Sequence, residues 1–300
     1  RVRPVKGTGH LLIRVAGLGS TSSSSSILDL PSDQLGYQHG EVFDFSYVGD
    51  RPGEPYRARD TFVDVDQSAR KLGDQLRAMG RDHPGREVDL VAHSQGGIVV
   101  RTYLERYYDA GDSELPPLGR VVTLASPHGG APIATAGWLI RGSASGSAAL
   151  DVLDSVAPHV PPADAPSVQQ LREGSPLQRS LDETPLPDQI ELRTIGGTDD
   201  FIVPSSNSTF SGADSHVVVN PKGPNDHAAI TADPAATNAV GLALEGRAPP
   251  CTGLLAFMRN AVTAKLLTDV EHGIGLMGRA AGEVVDRQVG TDKWERQPGG

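Results

Sequence analysis

The stretch Val88-Asp89-Leu90-Val91-Ala92-His93-Ser94-Gln95-Gly96-Gly97 brings an apolar run to a serine with a small residue two places before it and another two places after. That spacing suits a sharp turn from a buried strand into a helix. Small neighbours let the two elements approach, and the serine hydroxyl stands exposed in strained backbone at the tip. A helix N-terminus at this point favours a developing oxyanion through its free N–H groups and its dipole. The usual pattern is G-x-S-x-G. Here Ala92 replaces the first glycine and is still small enough for the turn. The chemistry suggested is nucleophilic acyl transfer at Ser94, which needs a base, a carboxylate to orient that base, and oxyanion donors.

Both partners lie downstream in the order serine, acid, histidine. "TIGGTDDFIVP" (194–204) carries Asp199 and Asp200 in a turn after an apolar run, and "GPNDHAAIT" (223–231) carries His227 just before a helical pattern. These segments sit where open α/β sheets build their sites, beyond the carboxyl ends of strands.

The elements that must position them alternate. Apolar runs at 11–16, 41–47, 87–92, 120–125, 190–195 and 216–219 read as strands. Helical spacing occupies 60–80, where Val63, Ala69, Leu72, Leu76 and Met79 recur, and also 95–108 and 228–246. Such alternation predicts an α/β domain with a doubly wound, mostly parallel sheet of about six strands. Residues 129–187 interrupt the rhythm and are expected to form a helical cap, with Trp138, Leu139, Ile140, Leu150, Val152 and Leu153 as its apolar content. Residues 248–300 follow the last expected helix; Leu255, Met258, Val262, Leu266 and Val270 there predict an amphipathic C-terminal extension. The division is thus 1–247 for the catalytic domain and 248–300 for the extension.

Composition narrows the classes. A net charge of −10 argues against a nucleic-acid partner and gives no polybasic signal for membranes. Cys251 is the lone cysteine, so neither an intramolecular disulfide nor a cysteine-based metal site can form. No apolar stretch reaches the roughly 18 to 20 residues of a spanning helix. The chain starts at Arg1 rather than Met, which leads us to expect a preceding segment lost by processing, with a secreted or cell-envelope location favoured.

Together the segments "VAGLGS", "FSYVG", "VDLVAHSQGG", "VVTLASPHGGAP", and "TDDFIVP" followed by "DHAAI" resemble the α/β-hydrolase serine lipases and esterases, near the bacterial class-2 lipases and PGAP1-like hydrolases. "LREGSPLQRSL" (171–181) resembles a stretch those lipases carry before the acid strand, and the match covers roughly 10–246. The resemblance implies Ser94 as nucleophile. It implies Asp200 as the acid, since Asp200 and not Asp199 opens the D-x-x-V-P turn, and His227 as the base in preference to His216. It further implies an oxyanion hole from the backbone N–H groups of Leu18 and Gln95, no metal or organic cofactor, and a lipid or acyl ester as substrate. One departure stands out. The family usually has His-Gly where this chain has Ala16-Gly17, which bears on the geometry of the oxyanion loop. His93 reads as packing, His128 as an organiser of the loop after the fourth strand, and the serine run 22–26 as a flexible loop. An acyltransferase or thioesterase would use the same three residues, and a catalytically silent binding domain would keep the fold alone.

Overall fold

Short Val/Ile/Leu runs give strands buried on both faces, which is what a parallel sheet covered by helices requires. In the computed structural model, residues 9–132, 134, 161–221 and 226–247 are described. Among them, β1 (Leu11–Val15), β2 (Val42–Asp44), β3 (Val88–His93), β4 (Leu118–Leu124), β5 (Leu192–Gly197) and β6 (Ser215–Val219) form one sheet in the order β2-β1-β3-β4-β5-β6. Every pairing is parallel. All carboxyl ends therefore share one edge, and the winding reverses between β1 and β3.

Alternate residues of each strand feed two cores. Leu11, Ile13, Val15, Leu90 and Ala92 pack against α1 (Val65–Asp82) and α2 (Gln95–Arg106). Leu12, Val91, Val122 and Leu124 pack instead on the segment containing Ile27, Leu30 and Leu35 and on a C-terminal helix, Pro234–Leu244. The period of two in the strands is what splits the apolar residues this way.

Three details differ from the sequence expectation. The helix expected from residue 60 starts at Val65, because 58–62 winds as a separate 3₁₀ turn and Asp64 caps α1 by accepting the Asp66 N–H at 2.8 Å. The helix expected over 228–246 is two: Asp226–Ala229, then Pro234–Leu244, restarted by Asp233 capping the N–H groups of Ala235 and Ala236. The serine run is ordered as well, with a Thr21–Ser24 bridge and a 3₁₀ turn at Ser26–Asp29 that buries Ile27.

Numbered along the described chain, α3 (Pro166–Gln170) and α4 (Pro176–Glu183) belong to the 129–187 insertion, and the two C-terminal helices are α5 (Asp226–Ala229) and α6 (Pro234–Leu244). The insertion's C-terminal part bonds to its own start and to the body: Ala131 N–H donates to the Leu171 carbonyl at 2.8 Å within the insertion, and Gln178 Nε2 donates to the Pro127 carbonyl of the body at 2.9 Å. Arg101 of α2, fully buried, lies 3.8 Å over the Phe210 ring and donates to the Leu181 carbonyl. The apolar residues expected in the cap, Trp138 to Leu153, and the extension 248–300 lie outside the described residues. No described helix is long and apolar enough to cross a membrane.

Candidate active site

Ser94 follows β3 and serves as the N-cap of α2. Its φ of 55° and ψ of −131° are strained for a residue with a side chain, by about 1–3 kcal/mol. The strand-to-helix turn is held on both sides: Ser94 N–H donates to Leu124 O at 2.9 Å, and Gly97 N–H donates to Ser94 O at 3.0 Å. The small residues have identifiable work. A Cβ on Gly96 would sit 2.4 Å from the Val15 carbonyl oxygen and 2.7 Å from that of Ala16, and one on Gly17 would sit 2.7 Å from Ser94 Cβ.

Asp200 stands beyond β5 and is buried. Its Oδ1 accepts the N–H groups of Ile202 and Val203, each at 2.8 Å, and its Oδ2 faces His227 Nδ1 at 2.8 Å. An ionised carboxylate can only accept, so Nδ1 carries the imidazole proton and Nε2 keeps its lone pair. That lone pair faces Ser94 Oγ at 2.9 Å. Ser94, Asp200 and His227, separated in sequence, are thereby brought into one hydrogen-bonded line. His227 lies inside the one-turn helix α5 rather than in a loop before it. His216 is half-buried on β6, with Nδ1 2.8 Å from Thr194 Oγ1 and so turned to β5.

His93 does more than fill space. Its Nε2 donates to the backbone carbonyl of His227 at 2.6 Å, and the two rings lie 5.0 Å apart. Burial, followed by the nearby His227, pushes the His93 pKa down to about 3, so this ring stays neutral beside His227. His128, by contrast, bonds Thr123 Oγ1 through Nε2 at 2.9 Å and stacks near Phe210, as expected of a loop organiser.

The N–H groups of Leu18 and Gln95 donate to no described residue. Leu18 lies in the turn after β1, and Gln95 opens α2 beside Ser94. With Ala16 in place of a histidine, hydroxyl groups hold the β1 turn. Tyr47 Oη donates to the Ala16 carbonyl at 2.7 Å, Ser20 Oγ donates to the Gly17 carbonyl at 2.7 Å, and Tyr56 Oη lies 3.0 Å from Ser20 Oγ. Burial raises both tyrosines, Tyr56 to about 12, which keeps them protonated. Sequence reasoning missed Ser20, Tyr47, Tyr56 and Thr61 as site residues, since isolated hydroxyls carry no spacing signal. At the rim, Phe201 is 61% exposed directly beside Asp200. Ser22 and Ser25 of the serine run border a cavity of about 90 Å³ with Arg14, Asp44 and Tyr56.

Comparison with known proteins bears on the fold. The structure is similar to the propeptide form of the lipase BlEst2 from Bacillus licheniformis (TM-score 0.57, 19% identity, covering 84% of this chain and 54% of that one). The chain has the α/β-hydrolase fold. A metagenomic carboxyl esterase is also similar, with TM-score 0.50 and 14% identity over 80% of this chain and 76% of the esterase. The phospholipase PlaB from Legionella pneumophila is similar at TM-score 0.43 and 20% identity over 63% of this chain; the chain spans 39% of PlaB's length. Residues 13–148 match the family of palmitoyl protein thioesterases. No curated protein matches the sequence significantly. The likenesses to BlEst2 and the esterase, at 19% identity or less, show the fold the chain shares with those proteins.

Proposed function

We propose that this chain cleaves acyl esters through a Ser94-His227-Asp200 triad. The observation that carries the reading is the continuous line from Asp200 Oδ2 to His227 Nδ1 at 2.8 Å and from His227 Nε2 to Ser94 Oγ at 2.9 Å, beside two uncommitted N–H groups.

In this mechanism Ser94 Oγ attacks the acyl carbon while its proton passes to His227 Nε2. The carbonyl π pair moves onto oxygen, where the N–H groups of Leu18 and Gln95 receive it, assisted by the N-terminal dipole of α2. Asp200 holds the tautomer and stabilises the imidazolium, and its two backbone N–H bonds, from Ile202 and Val203, hold its carboxylate in place. Collapse of the adduct breaks the bond to the leaving oxygen, which takes the proton from Nε2 and departs as alcohol, leaving an acyl-Ser94. A water then gives its proton to His227 and repeats the attack, releasing the acid. Neither step calls on a metal or organic cofactor.

The family match over residues 13–148 supports a second reading, an acyl thioester with a thiol as leaving group. The same atoms serve both. A test sets p-nitrophenyl esters from acetate to palmitate beside a palmitoyl thioester, each with wild type and Ser94→Ala. We expect the variant to lose about 10⁴-fold or more in kcat, and the ester-to-thioester ratio of kcat/KM to name the substrate class. Release by wild type no faster than by the variant on every substrate, with no fluorophosphonate labelling of Ser94, would remove the enzyme reading and leave a binding domain.

A further inference from the structure

Thr61 lies in the 3₁₀ turn Ala58–Phe62, far in sequence from both turns that supply the proposed oxyanion donors, and it is fully buried. It touches both. Its Oγ1 accepts the Gly19 N–H at 2.8 Å, one residue past Leu18. Its carbonyl accepts Gln95 Nε2 at 2.8 Å. Its own hydroxyl proton is committed to the Ala58 carbonyl at 2.6 Å, so Oγ1 has a fixed lone-pair direction for Gly19.

We infer that Thr61 is a positioning residue that sets the separation of the Leu18 and Gln95 N–H groups. The inference rests on the serine-hydrolase reading above. The residues around Leu18 from 16 to 19 carry no polar side chain: Gly19 sits at φ 74° and the preceding residues are Ala16 and Gly17. The hydroxyls of Tyr47 and Ser20 hold the carbonyls of Ala16 and Gly17, on the near side of Leu18. Thr61 holds the Gly19 N–H on the far side. Gripped at 16, 17 and 19, the chain has one direction left for the Leu18 N–H. Through its carbonyl the same residue fixes the first side chain of α2, so the two donors are referenced to a single third point. An oxyanion hole acts only when its donors converge at hydrogen-bond distance from a point between them, and a displacement of about 1 Å costs up to about 100-fold in rate. Placed here, Thr61 also takes over support of the loop at which the family histidine is absent.

The test compares wild type, Thr61→Val and Thr61→Ser. Valine keeps the shape and deletes the acceptor for Gly19; serine keeps the acceptor. The readouts are kcat and KM on the best ester, and inhibition by an aliphatic trifluoromethyl ketone, whose carbonyl becomes an oxyanion when Ser94 adds to it. We expect Thr61→Val to lose about 10- to 100-fold in kcat, with KM within about threefold and a parallel loss of ketone affinity, and Thr61→Ser to recover most of both. A valine variant with wild-type kcat and ketone affinity, or one altered in KM alone, overturns the inference while the hydrolase reading stands. If Thr61→Val does not fold, Gln95→Met deletes the other half of the bridge while keeping the Gln95 backbone N–H. Its kcat must then fall with ketone affinity, or the inference fails. A wild type without turnover or fluorophosphonate labelling fails the hydrolase reading itself and takes this inference with it.

Discussion

One side chain beside the proposed nucleophile and base is His93. Its bond to the His227 carbonyl ties the base to the end of β3, the same strand that carries Ser94. His93→Leu would leave that carbonyl without its donor. We expect a loss of about 1–3 kcal/mol in urea-unfolding free energy and a fall in kcat with KM little changed. An unchanged kcat would return His93 to simple packing. At this scale the proposed triad was legible from residue chemistry and order, and Asp200 was separable from Asp199 by its register in the turn. The reason is visible in the geometry: the N–H groups of Ile202 and Val203 converge on Asp200 Oδ1, which only the first residue of that turn can accept. Ser20, Tyr47, Tyr56 and Thr61 were not legible. They act on backbone groups brought near only by folding, and a lone hydroxyl looks the same in a loop with a task as in one without.

Between elements, α2 closely approaches the end of β1. Gly96→Ala would force the Val15 and Ala16 carbonyls away from a Cβ at 2.4 and 2.7 Å, moving the turn that carries Leu18. We expect destabilisation of about 1–3 kcal/mol by thermal or urea melting, together with loss of most esterase activity. A variant as stable and active as wild type would show that the turn gives way freely. The strands were read to within a few residues because alternating apolar pairs must feed both cores. The helix starts were not, since capping decides them: Asp64 and Asp233 each accept an N–H two residues on and restart the helix there. The apparent periodicity of 60–64 and 230–233 extends patterns whose backbone bonds go elsewhere.

At the scale of the molecule, three described histidines whose pKa is depressed, buried His93 and His128 and half-buried His216, shape the response to acid. Burial lowers His93 to about 3 and His216 to about 4, and holds His128 well below its ordinary 6.5, with Arg101 adding to the shift at His128. Between those values and 6.5 the unfolded chain binds protons that the folded chain does not. The stability these residues contribute is therefore fully present above about pH 6.5 and is lost progressively as pH falls towards 4 and 3. Glu105, raised from 4.5 to about 7 chiefly by burial, works in the opposite sense from about pH 7 down to 4.5, but it is one group against three. Urea midpoints measured from pH 7.5 to 4 should fall steadily on acidification; a flat or rising series would contradict this account. The sheet order has a last consequence, for how activity is acquired during folding. The strand, turn and helix around Ser94 close over a few residues, whereas His227 reaches Ser94 across a separation of 133 residues and must await β5 and β6. A refolding chain will form the turn at Ser94 early and bring His227 to it late, so its secondary structure precedes assembly of the proposed triad.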